Sequence, residues 1–174
     1  MSMFPALQMY RGAYHTGDIY HCRTVPRWAT RWFTFSVKRD PYSRAVSLWW
    51  ATTQKPGNDR YSFRKMCPEP DTLAGFVRWV ATRPETDNPE LLATQTEWLD
   101  GMRIDKFLRF ECLDYDFTFL PFYDGTPEVL PRNNATVNDR KHWRSYMTSA
   151  AIEAIDGYYA DDFDTRGYLR WGER

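Results

Sequence analysis

Few cysteines, no long apolar run and no excess charge of either sign mark this chain, and each shortage removes a class of protein. Cys22, Cys67 and Cys112 are far apart and odd in number, so neither a disulfide framework nor a Cys-x-x-Cys metal or redox pair is indicated, and reduced thiols in the cytoplasm fit best. His15, His21 and Cys22 lack the paired spacings of a zinc site, and no metal is expected. No stretch approaches the roughly 20 apolar residues of a membrane span, so no membrane partner is expected. Met1 to Tyr10 lacks the basic start and apolar core of a secretory signal, and export is not indicated. The sequon Asn134-Ala135-Thr136 would matter in a secreted glycoprotein, a context that nothing else here supports. Lys plus Arg and Asp plus Glu both number 23, and this neutral balance argues against a general nucleic-acid or anionic-membrane binder while leaving room for a local basic pocket. No repeat, low-complexity tract or Pro/Gly/Ser-rich linker divides the 174 residues, and 43% hydrophobic content suffices for one core, so residues 1–174 read as a single domain.

What is present is concentrated at one junction. Trp32 to Val37 is aromatic and β-branched enough for a buried strand, and Asp40-Pro41 supplies an N-cap followed by proline at the first helical position. Tyr42, Ala45, Val46 and Trp49 recur at helical spacing and form a face expected to pack on a sheet, while Ser43 and Ser47 share another face one turn apart. The amides and positive dipole end at this helix start favour an anion, and Arg39 adds a cation able to make bidentate contacts. An ion pair with Asp40 or another carboxylate is the alternative use of Arg39, and Arg44 is expected to brace the helix start by pairing with Asp40 at i, i+4.

The segment Arg39-Asp40-Pro41-Tyr42-Ser43-Arg44-Ala45-Val46-Ser47 resembles the Arg-Asn/Asp-Pro-x-x-Arg-x-x-Ser signature of sulfotransferases that use 3′-phosphoadenosine 5′-phosphosulfate (PAPS), nearest to the carbohydrate type. The likeness continues in order through Gln95-x-x-Trp98-Leu99, Phe107-Leu108-Arg109-Phe110-Glu111-Cys112-Leu113, Leu130-Pro131-x-x-Asn134-x-Thr136, and Tyr158-Tyr159-Ala160-Asp161-Asp162-Phe163 with Gly167-Tyr168. It implies that Arg39 and Ser47, with Ser43, hold the 3′-phosphate of PAPS, and that Asn134, Thr136, Arg140 and Lys141 close over the nucleotide; a solvated basic turn is the alternative for that last group. It also implies a base near His15, whose ordinary pKa near 6.5 suits proton abstraction at neutral pH, with His21 as rival. His142 receives no role, and Glu111 is expected to order neighbouring loops.

Elsewhere, Lys55-Pro56-Gly57-Asn58-Asp59 breaks the pattern, and a surface loop with Arg60, Arg64 and Lys65 is expected up to Pro70. Helices are predicted from Leu73, with Leu73, Phe76, Val77 and Val80 inward, and from Pro89 through Asp100 to a stop at Gly101. Lys106 to Phe110 reads as a strand, Asp114 as the cap of a short helix, and Thr148 as the cap of a helix carrying Ile152, Ile155 and Tyr159. Trp49, Trp79 and Trp98 read as core, and Trp50 and Trp143 stay open. The alternation predicts an α/β fold, and the resemblance implies three layers, a parallel sheet between helices as in P-loop kinases, with Arg39 and Glu111 at the carboxyl ends of strands.

Members of that family carry an early Lys-x-Gly-x-Ser/Thr loop for the 5′-phosphosulfate, whereas Lys38 is the first lysine of this sequence and Arg11-Gly12 with Thr16 is a poor substitute. The expectation is therefore an N-terminally shortened domain with two functional readings. One is an enzyme that moves a sulfuryl group from PAPS to a hydroxyl of a carbohydrate or small molecule. The other is a silent module that binds the nucleotide product PAP, or PAPS, without transfer. A nucleotide kinase is disfavoured by the missing Gly-x-x-x-x-Gly-Lys-Ser/Thr. Acceptor and oligomeric state are not encoded in any recognisable motif.

Overall fold

The computed structural model describes residues 32–54, 63–86, 89–125 and 142–173, which form a mixed α/β arrangement. Strand β1 is Phe35–Lys38 and pairs in parallel with β2, Lys106–Arg109, placing Phe35 opposite Lys106 and Lys38 opposite Arg109. β1 starts later than the sequence predicts because Thr34 is engaged at the entry: its N–H donates to Asp105 Oδ2 at 2.9 Å and its Oγ1 to Arg103 O at 2.6 Å. Nor is β1 a buried strand, since Val37 is 40% exposed. Among the described residues the sheet has two strands, too few to bury both faces.

Helix α1, Pro41–Trp49, begins at the predicted place because the Asp40 carboxylate accepts from the Tyr42 and Ser43 amides. Its inward residues Tyr42, Ala45, Val46 and Trp49 are buried, and among the described residues the main contacts of α1 are with helices and not with the β1–β2 pair. The partners are α2, Leu73–Ala81, whose Thr72 cap accepts from Gly75 N, and a C-terminal helix, Ser149–Tyr158, whose Thr148 cap accepts from Ala151 N. Leu73, Phe76, Val77, Val80, Ala151 and Ile155 share the core with them, each large side chain contributing about 1.5–3 kcal/mol by leaving water. Phe63 and Cys67 turn inward from the predicted surface loop, while Arg64, Lys65 and Met66 stay exposed.

The helix expected from Pro89 to Asp100 is two. Helix α3, Pro89–Leu92, stops before Thr94, and α4, Gln95–Trp98, starts afresh with a Thr94/Glu97 capping box. Asp162 supports the break: its fully buried carboxylate accepts from Gln95 N at 2.9 Å and Thr96 N at 2.7 Å, adding to the Thr94 cap from across the fold. After β2, α5 spans Leu113–Phe117 with Cys112 at its N-cap, so Asp114 lies in the first turn and not at the cap. The C-terminal helix named above is α6, and α7, Ala160–Arg166, follows it and carries Asp162. No helix among the described residues is long and apolar enough to cross a membrane.

Candidate functional site

A cavity of about 500 Å³ opens where β1 runs into α1. Ser36 and Arg39 line it from the strand side, Arg44, Ser47 and Leu48 from α1, Gln95, Trp98 and Leu99 from α4 and the turn after it, and Phe110 from the end of β2. One rim is therefore cationic and hydroxylic and the rest apolar or aromatic, the usual make-up of a small-molecule site.

Arg39 is fixed on three sides. Its Nε donates to Ser43 Oγ at 2.8 Å, its guanidinium lies 4.4 Å from the centre of the Phe110 ring, and its backbone is gripped by Gln95. The Gln95 amide accepts from Arg39 N at 2.7 Å and donates to Arg39 O at 2.8 Å. Ser43 and Ser47 thus share the neighbourhood of Arg39 as their spacing implies, Ser43 through a hydrogen bond and Ser47 on the cavity wall.

The helix start contributes differently from expectation. The Tyr42 and Ser43 amides, read from sequence as an anion seat, are already taken by Asp40 Oδ1 at 2.9 and 3.2 Å. Attraction for an anion in this cavity falls to side chains. Arg44 also departs from its expected brace role: Nη2 donates to Ala93 O at 2.7 Å, the guanidinium lies over Tyr159, and Nη1 is a buried donor that meets no acceptor among the described residues.

Glu111 ties the strand ends to the C-terminal segment. Its Oε1 accepts from Asp40 N at 2.8 Å and its Oε2 from Tyr168 OH at 2.9 Å, an ordering role of the kind read from sequence. Burial first, then the Glu111 hydrogen bond, push the Tyr168 phenol well above its ordinary range, so it stays a donor. Lys38 donates to Arg166 O and lies 5.3 Å from the centre of the Tyr168 ring. Burial, then the Arg109 and Arg166 charges, lower its pKa.

Trp98, read from sequence as core, is half-buried and walls the cavity, at the end of the short helix that starts afresh after Thr94. Trp49 is core, Trp79 packs at its edge, and Trp50 and Trp143 pack against it, Trp143 stacked parallel to Tyr42. His142 caps a short 3₁₀ turn, its Nδ1 accepting from Arg144 N. Phe110 and Gln95 were not singled out as site residues by sequence. Once β1 and β2 are known to be parallel with Lys38 opposite Arg109, the residue after Arg109 must lie beside Arg39, so the register is the signal that finds Phe110. His15, His21, Asn134, Thr136, Arg140 and Lys141 lie outside the described residues. Searches against family models, curated proteins and solved structures find no match to this chain.

Proposed function

We propose that this chain is a sulfotransferase-type domain that binds PAPS and moves its sulfuryl group to a hydroxyl of a carbohydrate or small molecule. The observation that carries the proposal is the convergence of Arg39 and Ser47, eight positions apart in the sequence, on one concave surface with Ser43 bonded to the guanidinium. The residues fit the nucleotide end of PAPS. Arg39 supplies charge-assisted donors for the 3′-phosphate, Ser47 a hydroxyl, and Trp98 and Phe110 apolar surface for a purine. PAPS, when bound, supplies an activated sulfuryl group on its 5′-phosphate. The chain must in turn take the proton of the acceptor hydroxyl, a role we assign to His15 on the resemblance alone, and stabilise the charge that develops. Three layers, with a sheet larger than the β1–β2 pair, belong to the same proposal.

The second reading, nucleotide binding without transfer, has its own support. Lys38, the last residue of β1, is committed to Arg166 O beside Tyr168 and does not line the cavity. Two measurements separate the readings. Calorimetry with 3′,5′-adenosine bisphosphate and with 5′-AMP tests the 3′-phosphate seat, and transfer of radiolabelled sulfate from PAPS to a panel of sugars and phenols tests the enzyme. Preference for the bisphosphate with no transfer selects the silent module, and equal or absent binding of both nucleotides removes the two readings together.

A further inference from the structure

We propose that Gln95, held in turn by Asp162, is a positioning residue that sets where the Arg39 guanidinium meets an anion in the cavity. The inference rests on the reading of that cavity as a 3′-phosphate seat. Its basis is a chain of bonds across three elements. On α7 the fully buried Asp162 accepts from Gln95 N at 2.9 Å and lies 3.4 Å from Gln95 Nε2, through the same oxygen, Oδ2. The Gln95 amide, itself buried, satisfies both polar groups of the Arg39 backbone, as a neighbouring strand would.

Arg39 sits one residue past the end of β1, where the ladder to β2 has ended, and one residue before the helix cap. At such a joint neither regular element fixes the backbone. The Gln95 side chain fills that gap, and the carboxylate bond to Nε2 settles its orientation: the NH₂ end faces Asp162 and Arg39 O, leaving Oε1 for Arg39 N. A displacement of a few tenths of an ångström here moves a guanidinium pinned between Ser43 and Phe110, and bidentate recognition of phosphate is sensitive to such shifts.

A glutamate at position 95 separates positioning from packing. Gln95→Glu keeps the size of the side chain and its acceptor for Arg39 N, but the ionised form cannot donate to Arg39 O and faces the Asp162 carboxylate; the protonated form can donate. Among the described residues the charged groups placed beside it are Asp162 of α7, bonded to it, and Arg39 just past β1 and Arg44 of α1, which line the same cavity. Affinity for 3′,5′-adenosine bisphosphate is measured by calorimetry from pH 8 to pH 5 for wild type, Gln95→Glu, Arg39→Ala and the double variant, on samples verified as folded by near-UV circular dichroism. The expected result is a loss of about tenfold relative to wild type at pH 8, about 1.4 kcal/mol, which narrows as the pH falls and is absent in the Arg39→Ala background.

A residue that merely supports the fold lowers the melting temperature but leaves the affinity of the folded protein, and its pH profile relative to wild type, unchanged. That outcome overturns the inference and leaves the cavity reading intact, as does a loss that adds in full to that of Arg39→Ala. If Gln95→Glu does not fold, Gln95→Met, of similar length and unable to bond either Arg39 group, must show the same dependence on Arg39 or the inference fails. Absence of binding by wild type overturns the cavity reading, and this inference with it.

Discussion

Asp116 takes three hydrogen bonds from Arg109 alone: the backbone N–H and Nε reach Oδ2 at 2.7 and 2.9 Å, and Nη2 reaches Oδ1 at 2.6 Å. One residue thereby closes β2 onto α5. The side-chain hydrogen bonds of Arg109 hold the Asp116 carboxyl at about 2, below its ordinary value of about 3.9. A carboxyl with a depressed folded-state pKa stabilises the fold above its ordinary pKa, and that contribution drains away as pH falls from about 4 towards 2. Urea midpoints of wild type and Asp116→Asn should therefore differ most near pH 6, narrow through pH 3 and draw together only towards pH 2. A constant gap across that range would contradict the assignment.

Arg39→Ala should weaken 3′,5′-adenosine bisphosphate binding by about 1.5–3 kcal/mol, the range for hydrogen bonds to charged groups. Arg39→Lys should recover little of it, because an ammonium supplies neither the Nε bond to Ser43 nor a planar face for Phe110. Calorimetry on the three proteins decides; equal affinities would remove Arg39 from the site.

Asp40→Ala removes the cap of α1 and should cost about 0.5–2 kcal/mol. It also uncovers the Tyr42 and Ser43 amides, so inorganic sulfate should raise the melting temperature of the variant more than that of wild type. Thermal denaturation with and without sulfate measures both effects, and an identical response to sulfate would count against amides sealed by the carboxylate.

Ile155 is fully buried on α6 in the cluster that also holds Phe76, Val77 and Val80 of α2, and Ile155→Ala should cost about 2–5 kcal/mol through a cavity that the helices cannot close. Denaturant unfolding checks this. A cost under about 1 kcal/mol would mean that the core packs differently there.

Local chemistry was legible in the sequence and long-range partnership was not. Asp40-Pro41, Thr72 and Thr148 announce helix starts because a cap acts within three residues of itself. Tyr42 and Val46 read as buried from their spacing, but spacing does not name the partner: a sheet was expected, and Tyr42 meets Trp143, Phe163 and Trp171. The break at Thr94 had a local sign, the Thr94-x-x-Glu97 capping box, which the longer apolar periodicity overrode, and a distant support, Asp162, 67 positions from the Gln95 amide that it accepts from, which no local pattern shows. Arg44 misled for the same reason: the acceptor it uses, Ala93 O, belongs to the turn which that break creates.

The seal that Asp40 places on the first turn of α1 has a bearing on ligand exchange. Since the helix brings its own counter-ion, arrival or departure of a nucleotide in the adjoining cavity leaves the helical ladder untouched, and occupancy should be silent in far-UV dichroism while registering in the indole emission of Trp98.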